Sequence, residues 1–412
     1  MSQAFGSVMG SRFPSLAGLT ILQIIPALDA GGAERTTIDM AAAITEAGGR
    51  ALVATSGGRL ISELQAQGGI WIPFPAQSKN PVAMAAHVLR LARLIRLERP
   101  SLVHARSRAP AWVALGACRM TGVPFVTTFH GSYGGKSAIK LYYNSVMARG
   151  DTVIANSNYT RTLIETHYPW AAGRIDVVPR GTDLKLFASA TVGPGRVQKL
   201  RADWGVEPDQ RIVLLAARLT SWKGHAVLIE AAALLRDRGL EGTRFILAGD
   251  PQGRSKYMRD IDAAIAKARL GDIVKRVGHC DDMPAAFLAA SVVVVPSTKP
   301  EAFGRSAVEA QALGTPVVVS DLGAVPETVL TPPRTSADER TGWAVPASQP
   351  EALADAIGQA LALGASARDA IGARARAHVA GQFSLEGMQN ATLNVYRAVL
   401  SAPAGSKARP SP

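Results

Sequence analysis

Four consecutive valines occupy positions 292–295, and three more occupy 317–319. Every residue of each run is apolar, the pattern of a strand buried on both faces of a sheet. Between the runs lies Lys299-Pro-Glu-Ala-Phe-Gly-Arg-Ser-Ala-Val-Glu-Ala-Gln-Ala-Leu-Gly314. This stretch reads as a glycine-bearing loop followed by an alanine-rich helix. Two glutamates, Glu301 and Glu309, fall in the loop and the first turns of that helix. A helix start offers free N–H groups and partial positive charge, which suits a phosphate. Carboxylates beside it can accept hydrogen bonds from the hydroxyls of a ribose or a sugar. The segment therefore reads as half of a nucleotide-sugar site.

The same alternation of strand and helix runs through the rest of the chain. Strand-like runs recur at 19–25, 50–55, 70–74, 102–104, 124–130, 152–155 and 175–179. They resume at 211–217, 244–249, 273–278, 292–296, 315–320 and 342–346, before helices at 350–363, 366–381 and 384–400. Two such series in 412 residues predict an α/β protein with two doubly wound parallel sheets. The expected organisation is a first domain over 1–185, a linker over 186–208 and a second domain over 209–383. A terminal helix over 384–401 and a disordered Pro/Ser-rich tail over 402–412 follow. Sheets of this type leave a cleft at the C-terminal ends of their strands.

Several residues stand at such strand ends. Arg218 and Lys223 share one loop, where two fixed cations beside helix dipoles can neutralise a diphosphate. Gly31 and Gly32 precede a helix and let a ligand approach the backbone, although their spacing is not the dinucleotide fingerprint GxGxxG. His130 ends a strand and opens a glycine loop, where α/β sheets place ligands; a lone histidine there is more often structural. Arg106 and Arg108 also stand at a strand end and are expected to face an acidic acceptor. Their alternative is a salt-bridged or solvated position. Asp260-Ile-Asp262 falls inside a helix, where the two side chains diverge, and Asp281-Asp282 reads as a helix start. Neither suggests a metal site, and no metal is expected.

Charge narrows the partners. The formal net charge is +13, and residues 1–185 carry 19 Lys/Arg against 10 Asp/Glu. Arg90, Arg93, Arg96 and Arg99 recur along one helix, a pattern that fits either a face resting on anionic lipid or the solvated side of a packed helix. Three-residue spacing drifts around a helix, which favours the solvated side. Aromatic residues make up only 6% of the chain, so a nucleic-acid stacking platform is not expected. Two distant cysteines, Cys118 and Cys280, suit a reducing compartment. With no export signal or membrane-spanning run read from the sequence, the expected location is the cytoplasm, with peripheral contact on the inner face of the membrane.

Taken together, these motifs resemble glycosyltransferase family 4, which has the two-Rossmann GT-B fold. The resemblance runs from Gly31-Gly-Ala-Glu-Arg35 through Arg218-Leu-Thr-Ser-Trp-Lys-Gly224 to the glutamates at 301 and 309. Within the family, His104-Ala-Arg-Ser-Arg-Ala-Pro-Ala-Trp112 and Val277-Gly-His-Cys-Asp-Asp-Met-Pro284 resemble bacterial lipopolysaccharide-core enzymes, several of them mannosyltransferases. The resemblance implies two domains facing each other across a cleft, with the C-terminal helix crossing back to the first. It implies a retaining hexosyltransferase that uses a GDP- or UDP-linked sugar as co-substrate, with no further cofactor, and a lipid-linked glycan as acceptor. Arg218 and Lys223 would hold the diphosphate. Glu309 would hold the ribose and Glu301 the donor sugar. Backbone around Phe303, Gly304, Ser306 and Ala307, and at Gly31 and Gly32, would contact phosphate. His130 would serve the reacting sugar. Two departures stand out: Ala217, where many relatives carry glycine, and Arg180, where asparagine is common.

The spacing of the glutamates bears on their chemistry. Were one helix to span both, eight positions would separate them by ~12 Å. That exceeds the roughly 5–9.5 Å of a glycosidase carboxylate pair, so they read as clamps along a donor. The competing readings are another enzyme on the same fold, such as a nucleotide-sugar epimerase, a phosphorylase or a transferase for a different cell-surface polysaccharide, and a basic non-enzymatic module for nucleic acid or membrane. Paired carboxylates at a strand end argue against the last.

Overall fold

The computed structural model describes residues 12–402 except 30, 79, 132, 134–136 and 252. The tail expected over 402–412 thus lies almost wholly outside the described residues, as do residues 1–11 and Ser132, Gly134 and Gly135 of the loop after His130. The chain forms two compact units, Met1–Val178 with Glu386–Pro412, and Pro179–Leu385.

The first unit holds a seven-stranded sheet built from β1 (Thr20–Ile24), β2 (Arg50–Thr55), β3 (Ile70–Pro73), β4 (Leu102–Ala105), β5 (Phe125–Phe129), β6 (Thr152–Ala155) and β7 (Ile175–Val177). All neighbours are parallel, in the order β3-β2-β1-β4-β5-β6-β7. The second unit holds six parallel strands: β8 (Arg211–Ala216), β9 (Thr243–Ala248), β10 (Val274–Gly278), β11 (Val292–Val295), β12 (Val317–Ser320) and β13 (Trp343–Val345). Their order is β10-β9-β8-β11-β12-β13. Both sheets are doubly wound. The valine runs that opened the sequence reading are β11 and β12, and every residue of both strands is buried. Strand order reverses between β1 and β4 in one sheet and between β8 and β11 in the other, and at such points neighbouring loops diverge and leave a crevice.

The last helix, Leu385–Ser401, packs into the first unit. Met388, Leu393 and Val399 bury its apolar face, and Gln389 Nε2 donates to the Asp39 carbonyl at 2.8 Å. Tyr396 Oη lies 2.6 Å from Nδ1 of His104, a fully buried residue of β4, and the other ring nitrogen is 2.7 Å from Thr128 Oγ1. Burial, with the nearby Arg106 charge, holds the His104 pKa well below its ordinary value, and burial pushes Tyr396 up to about 12.

Residues 186–208, read from the sequence as a linker, carry the helix Pro194–Asp203. Phe187, Val192, Trp204 and Val206 are buried in the second unit's core, and the helix packs against Met283–Ala289. Apolar side chains this deeply placed make the segment part of the second unit.

Candidate functional site

In the second unit, two loops leave the sheet where its strand order reverses. Arg218–Gly224 follows β8 and Pro296–Gly304 follows β11. They are stitched together, since Thr298 N donates to the Trp222 carbonyl at 2.8 Å. Gly224 turns with φ +79°, and a Cβ there would sit 1.8 Å from the Pro296 carbonyl oxygen. Only glycine lets the two backbones approach so closely.

This packing brings Lys223 Nζ to 2.7 Å from Glu301 Oε1, with side chains only 16% and 10% exposed. The same carboxylate oxygen accepts from Ser297 Oγ. The Lys223 ammonium also lies over the Trp222 ring, 4.5 Å from its centroid. Arg218 is exposed, and among the described residues no acidic side chain pairs with it. The site therefore presents one engaged cation and one unengaged cation beside a fixed carboxylate.

Glu309 sits on the helix Arg305–Ala312, which starts at Gly304 in the left-handed region (φ 98°). Its side chain is buried and accepts from Arg305 Nη2 at 2.7 Å, one turn earlier. Ser306 Oγ donates to the Ala216 carbonyl at 3.0 Å, which ties this helix start to the end of β8. Glu301 precedes the helix, so no single helix spans the two glutamates. The Ala307 N–H donates to the Gly304 carbonyl at 3.1 Å, inside the first turn. The Phe303 ring is 5% exposed and packs edge-on against Phe383, 5.5 Å between centroids. Its side chain belongs to the core, so only its backbone is left for the phosphate contact expected there.

Behind the Lys223 loop, His225 is buried, with Nδ1 3.3 Å from Tyr257 Oη. Burial lowers its pKa from 6.5 to about 4, and burial raises Tyr257 to about 12. Because the folded value lies below the unfolded one, the unfolded chain binds this proton more tightly in the interval between them. The stability carried by neutral His225 is complete above pH 6.5 and is lost as the pH falls toward about 4. The loss amounts to about 3 kcal/mol. Thermal melts through that interval should show His225→Leu losing less stability on acidification than the parent chain. An unchanged slope would place the acid sensitivity elsewhere.

The first unit places Gly31 and Gly32 after β1, Arg106 after β4 and His130 after β5, three neighbouring strand ends. Gly32 begins the helix Gly32–Glu46, and His130 is half-buried. Arg106 departs from expectation. It is 2% exposed, and its Nε donates to Gln23 Oε1 at 2.9 Å. Tyr396 and Asp39 lie near enough to favour its charge against the burial that lowers its pKa. A guanidinium so enclosed is held inside the first unit, which corrects the expectation that it faces an acceptor. Arg108 donates to Asn144 Oδ1 at 2.8 Å and stacks over Tyr133 at 4.6 Å, so it too is engaged within the unit.

The sequence reading missed Ser297, Trp222, Arg305, His225 and Tyr257. Only Arg305 carried a legible signal, its i,i+4 spacing to Glu309. The Asp260-Ile-Asp262 triplet lies in the helix Ser255–Lys267, where Arg276 holds Asp262 through two hydrogen bonds at 2.7 and 2.8 Å. Asp282 caps the helix Met283–Ala289 through the Ala285 N–H.

Comparison with known proteins bears on this arrangement. Residues 30–186 match the family model described as Glycosyltransferase Family 4, and residues 196–378 match that of Glycosyl transferases group 1. A D-inositol 3-phosphate glycosyltransferase of Segniliparus rotundus is 30% identical over 332 residues, 77% of this chain and 70% of that protein. Others of the same description match with 55% and 65% of their length covered. A glycosyltransferase structure from Rickettsia africae superposes with a TM-score of 0.83 at 32% identity, covering 93% of this chain and 99% of that one. Anabaena Alr3699/HepE, solved in complex with UDP and glucose, gives 0.78 at 25% identity, covering 92% of this chain and all of its own.

Proposed function

This chain belongs to glycosyltransferase family 4, and from that premise we propose that it moves a hexosyl group from a nucleoside diphosphate sugar to a hydroxyl of an acidic acceptor, with retention at the anomeric carbon. The observation that carries this reading is the Lys223–Glu301 pair beside the unengaged Arg218, on loops stitched together at the strand-order reversal. Arg218 and Lys223 meet the diphosphate charge, helped by the helix start at Gly304 and Ser306. Glu309 accepts from the ribose and Glu301 from the sugar. His130 serves the reacting sugar, and the Gly31-Gly32 helix start contacts phosphate. The bond from the anomeric carbon to the diphosphate oxygen breaks as the bond to the acceptor oxygen forms on the same face. The acceptor proton passes to the departing diphosphate. With two lysine and arginine cations placed for this charge, we assign no metal or cofactor to the reaction.

The donor and acceptor are the finer part of the proposal. The sequence resemblance points to mannose and a lipopolysaccharide-core glycan, whereas the curated relatives are named for D-inositol 3-phosphate. Both acceptors are polyhydroxylated and anionic, which suits the cationic excess of residues 1–185. A cavity of about 400 Å³ at the end of β10, lined by Trp204, Lys275, Val277, His279 and Asp282, offers room for a base. It lies apart from the Lys223–Glu301 pair, and the chemistry is assigned to the pair on geometry. Thermal melts with UDP-, GDP- and ADP-sugars, GDP-mannose included, test the reading. At a hundredfold excess over Kd, the matching donor should raise the melting temperature by about 5 °C. The donor assignment fails if none of the panel moves it.

A further inference from the structure

We propose that the solvent face of the helix Pro81–Glu98 is a docking surface for an anionic lipid bilayer. This goes beyond the transfer reaction and does not depend on it. One side of the helix is accounted for by the fold, since Leu91, Ala92 and Ile95 are buried and Met84 and Val88 pack against the first unit's core. The other side is not. Val82, Leu89 and Leu97 are 80%, 62% and 75% exposed. Arg90, Arg93, Arg96 and Arg99 are exposed as well.

At about 100° per residue, Leu89, Arg93 and Arg96 lie within roughly 40° of Val82 around the axis, and Leu97 and Arg90 lie within about 80°. The arginine spacing alone drifts and reads as a solvated side. Combined with three exposed aliphatic side chains on the same face, it becomes a mixed apolar and cationic stripe. Single exposed aliphatic residues are ordinary, but three aligned among arginines need an apolar partner.

The charge on this face is one-sided. Glu98 is the helix's only acid, and Arg50 holds it at 2.7 Å. Among the described residues no acidic side chain pairs with Arg93, Arg96 or Arg99. Arg90 leans over the Phe74 ring at 5.7 Å, on the flank. Arginine stems can lie along an apolar layer while their heads reach phosphates at its surface. The stripe runs the length of an 18-residue helix, about 27 Å. No helix among the described residues is long and apolar enough to cross a membrane, so the contact is one of lying on the surface. A second copy of the same face would set arginine against arginine. A nucleic acid would leave the aliphatic side chains without a partner, and the helix carries no Phe, Tyr or Trp to stack with bases, while its one imidazole, His87, packs edge-on against Phe74.

The test is vesicle flotation of the full chain. Vesicles of phosphatidylcholine alone are compared with vesicles containing phosphatidylglycerol, at low and high salt. The parent should float with the anionic vesicles, and salt should reduce the bound fraction. Leu89→Ser/Leu97→Ser and Arg93→Glu/Arg96→Glu should each lower the partition coefficient about ten-fold or more, with unchanged melting temperatures because every altered side chain is exposed. The proposal is overturned if the parent stays with the soluble fraction, or if both double variants float as well as the parent. It is also overturned if the parent dimerises by sedimentation and Leu89→Ser/Leu97→Ser abolishes the dimer, since the face would then bind a second copy. Donor-induced thermal shifts should be the same in parent and variants, which separates failure here from failure of the transferase reading.

Discussion

Replacing Glu301 with alanine is expected to lower turnover about a hundred- to a thousand-fold, the range seen when one preorganised polar contact to a reacting group is removed. Nucleoside diphosphate affinity should stay within about three-fold of the parent, because a contact used mainly in the transition state raises kcat and not ground-state binding. The geometry supports this division. Glu301 accepts from Lys223 and Ser297 at one oxygen, which leaves its other oxygen for a sugar hydroxyl. Its loss leaves the Lys223 cation in place for the diphosphate. Glu309→Ala should do the reverse and weaken nucleoside diphosphate binding about ten-fold or more, the worth of a charge-assisted hydrogen bond to a ribose hydroxyl. Calorimetric titration of the nucleoside diphosphate, run beside initial rates, checks both. Equal losses of affinity in the two variants would contradict the separate roles. Glu301→Gln keeps the shape and should show the same loss of turnover with less loss of stability.

Gly224→Ala is expected to cost about 3 kcal/mol of stability or more, because a strained left-handed position and a backbone overlap act together. The added carbon would lie 1.8 Å from the Pro296 oxygen at a residue with φ +79°. No side-chain rotation can relieve a clash with backbone. Relief requires the loop after β8 to move away from the loop after β11, which breaks the Thr298-to-Trp222 hydrogen bond and draws Lys223 from Glu301. Stability and activity should therefore fall together. Gly364→Ala is the control, since a Cβ there meets nothing within 4 Å. Urea unfolding of both variants measures the difference, and equal midpoints would show that the two loops are free to separate.

Both sheets were legible in the sequence because strands buried on two faces write themselves as unbroken apolar runs, as in Val292–Val295. Glycines punctuate the helix ends and loops between them. The placement of Arg218, Lys223 and Glu301 followed from strand ends, and that of Glu309 from the helix start after them. What surrounds them did not. Lys223 and Glu301 are 78 positions apart, and nothing local announces their contact. Arg106 shows the limit more sharply. An arginine at a strand end reads as exposed, and what encloses it includes Gln23, 83 positions earlier, and Tyr396 on the last helix. Burial of a charge depends on chain that arrives from far away, so no window around Arg106 carries the signal. Residues 186–208 misled for the opposite reason. Gly193, Pro194 and Gly195 look like connector, while the burial of Trp204 and Val206 decides their place.

The return of the Leu385–Ser401 helix to the first unit also sets an order of assembly. A ribosome releases β1 to β7 first, but the helix that covers His104 emerges roughly 200 residues later, roughly 10–40 s at ordinary elongation rates. Until then His104 and Arg106 lack the Tyr396 partner they have in the finished protein. The second unit is one continuous stretch and can close before the first is complete. The half made first is thus finished last, and a chain that ended at residue 385 would contain all of the second unit's residues and an incomplete first unit.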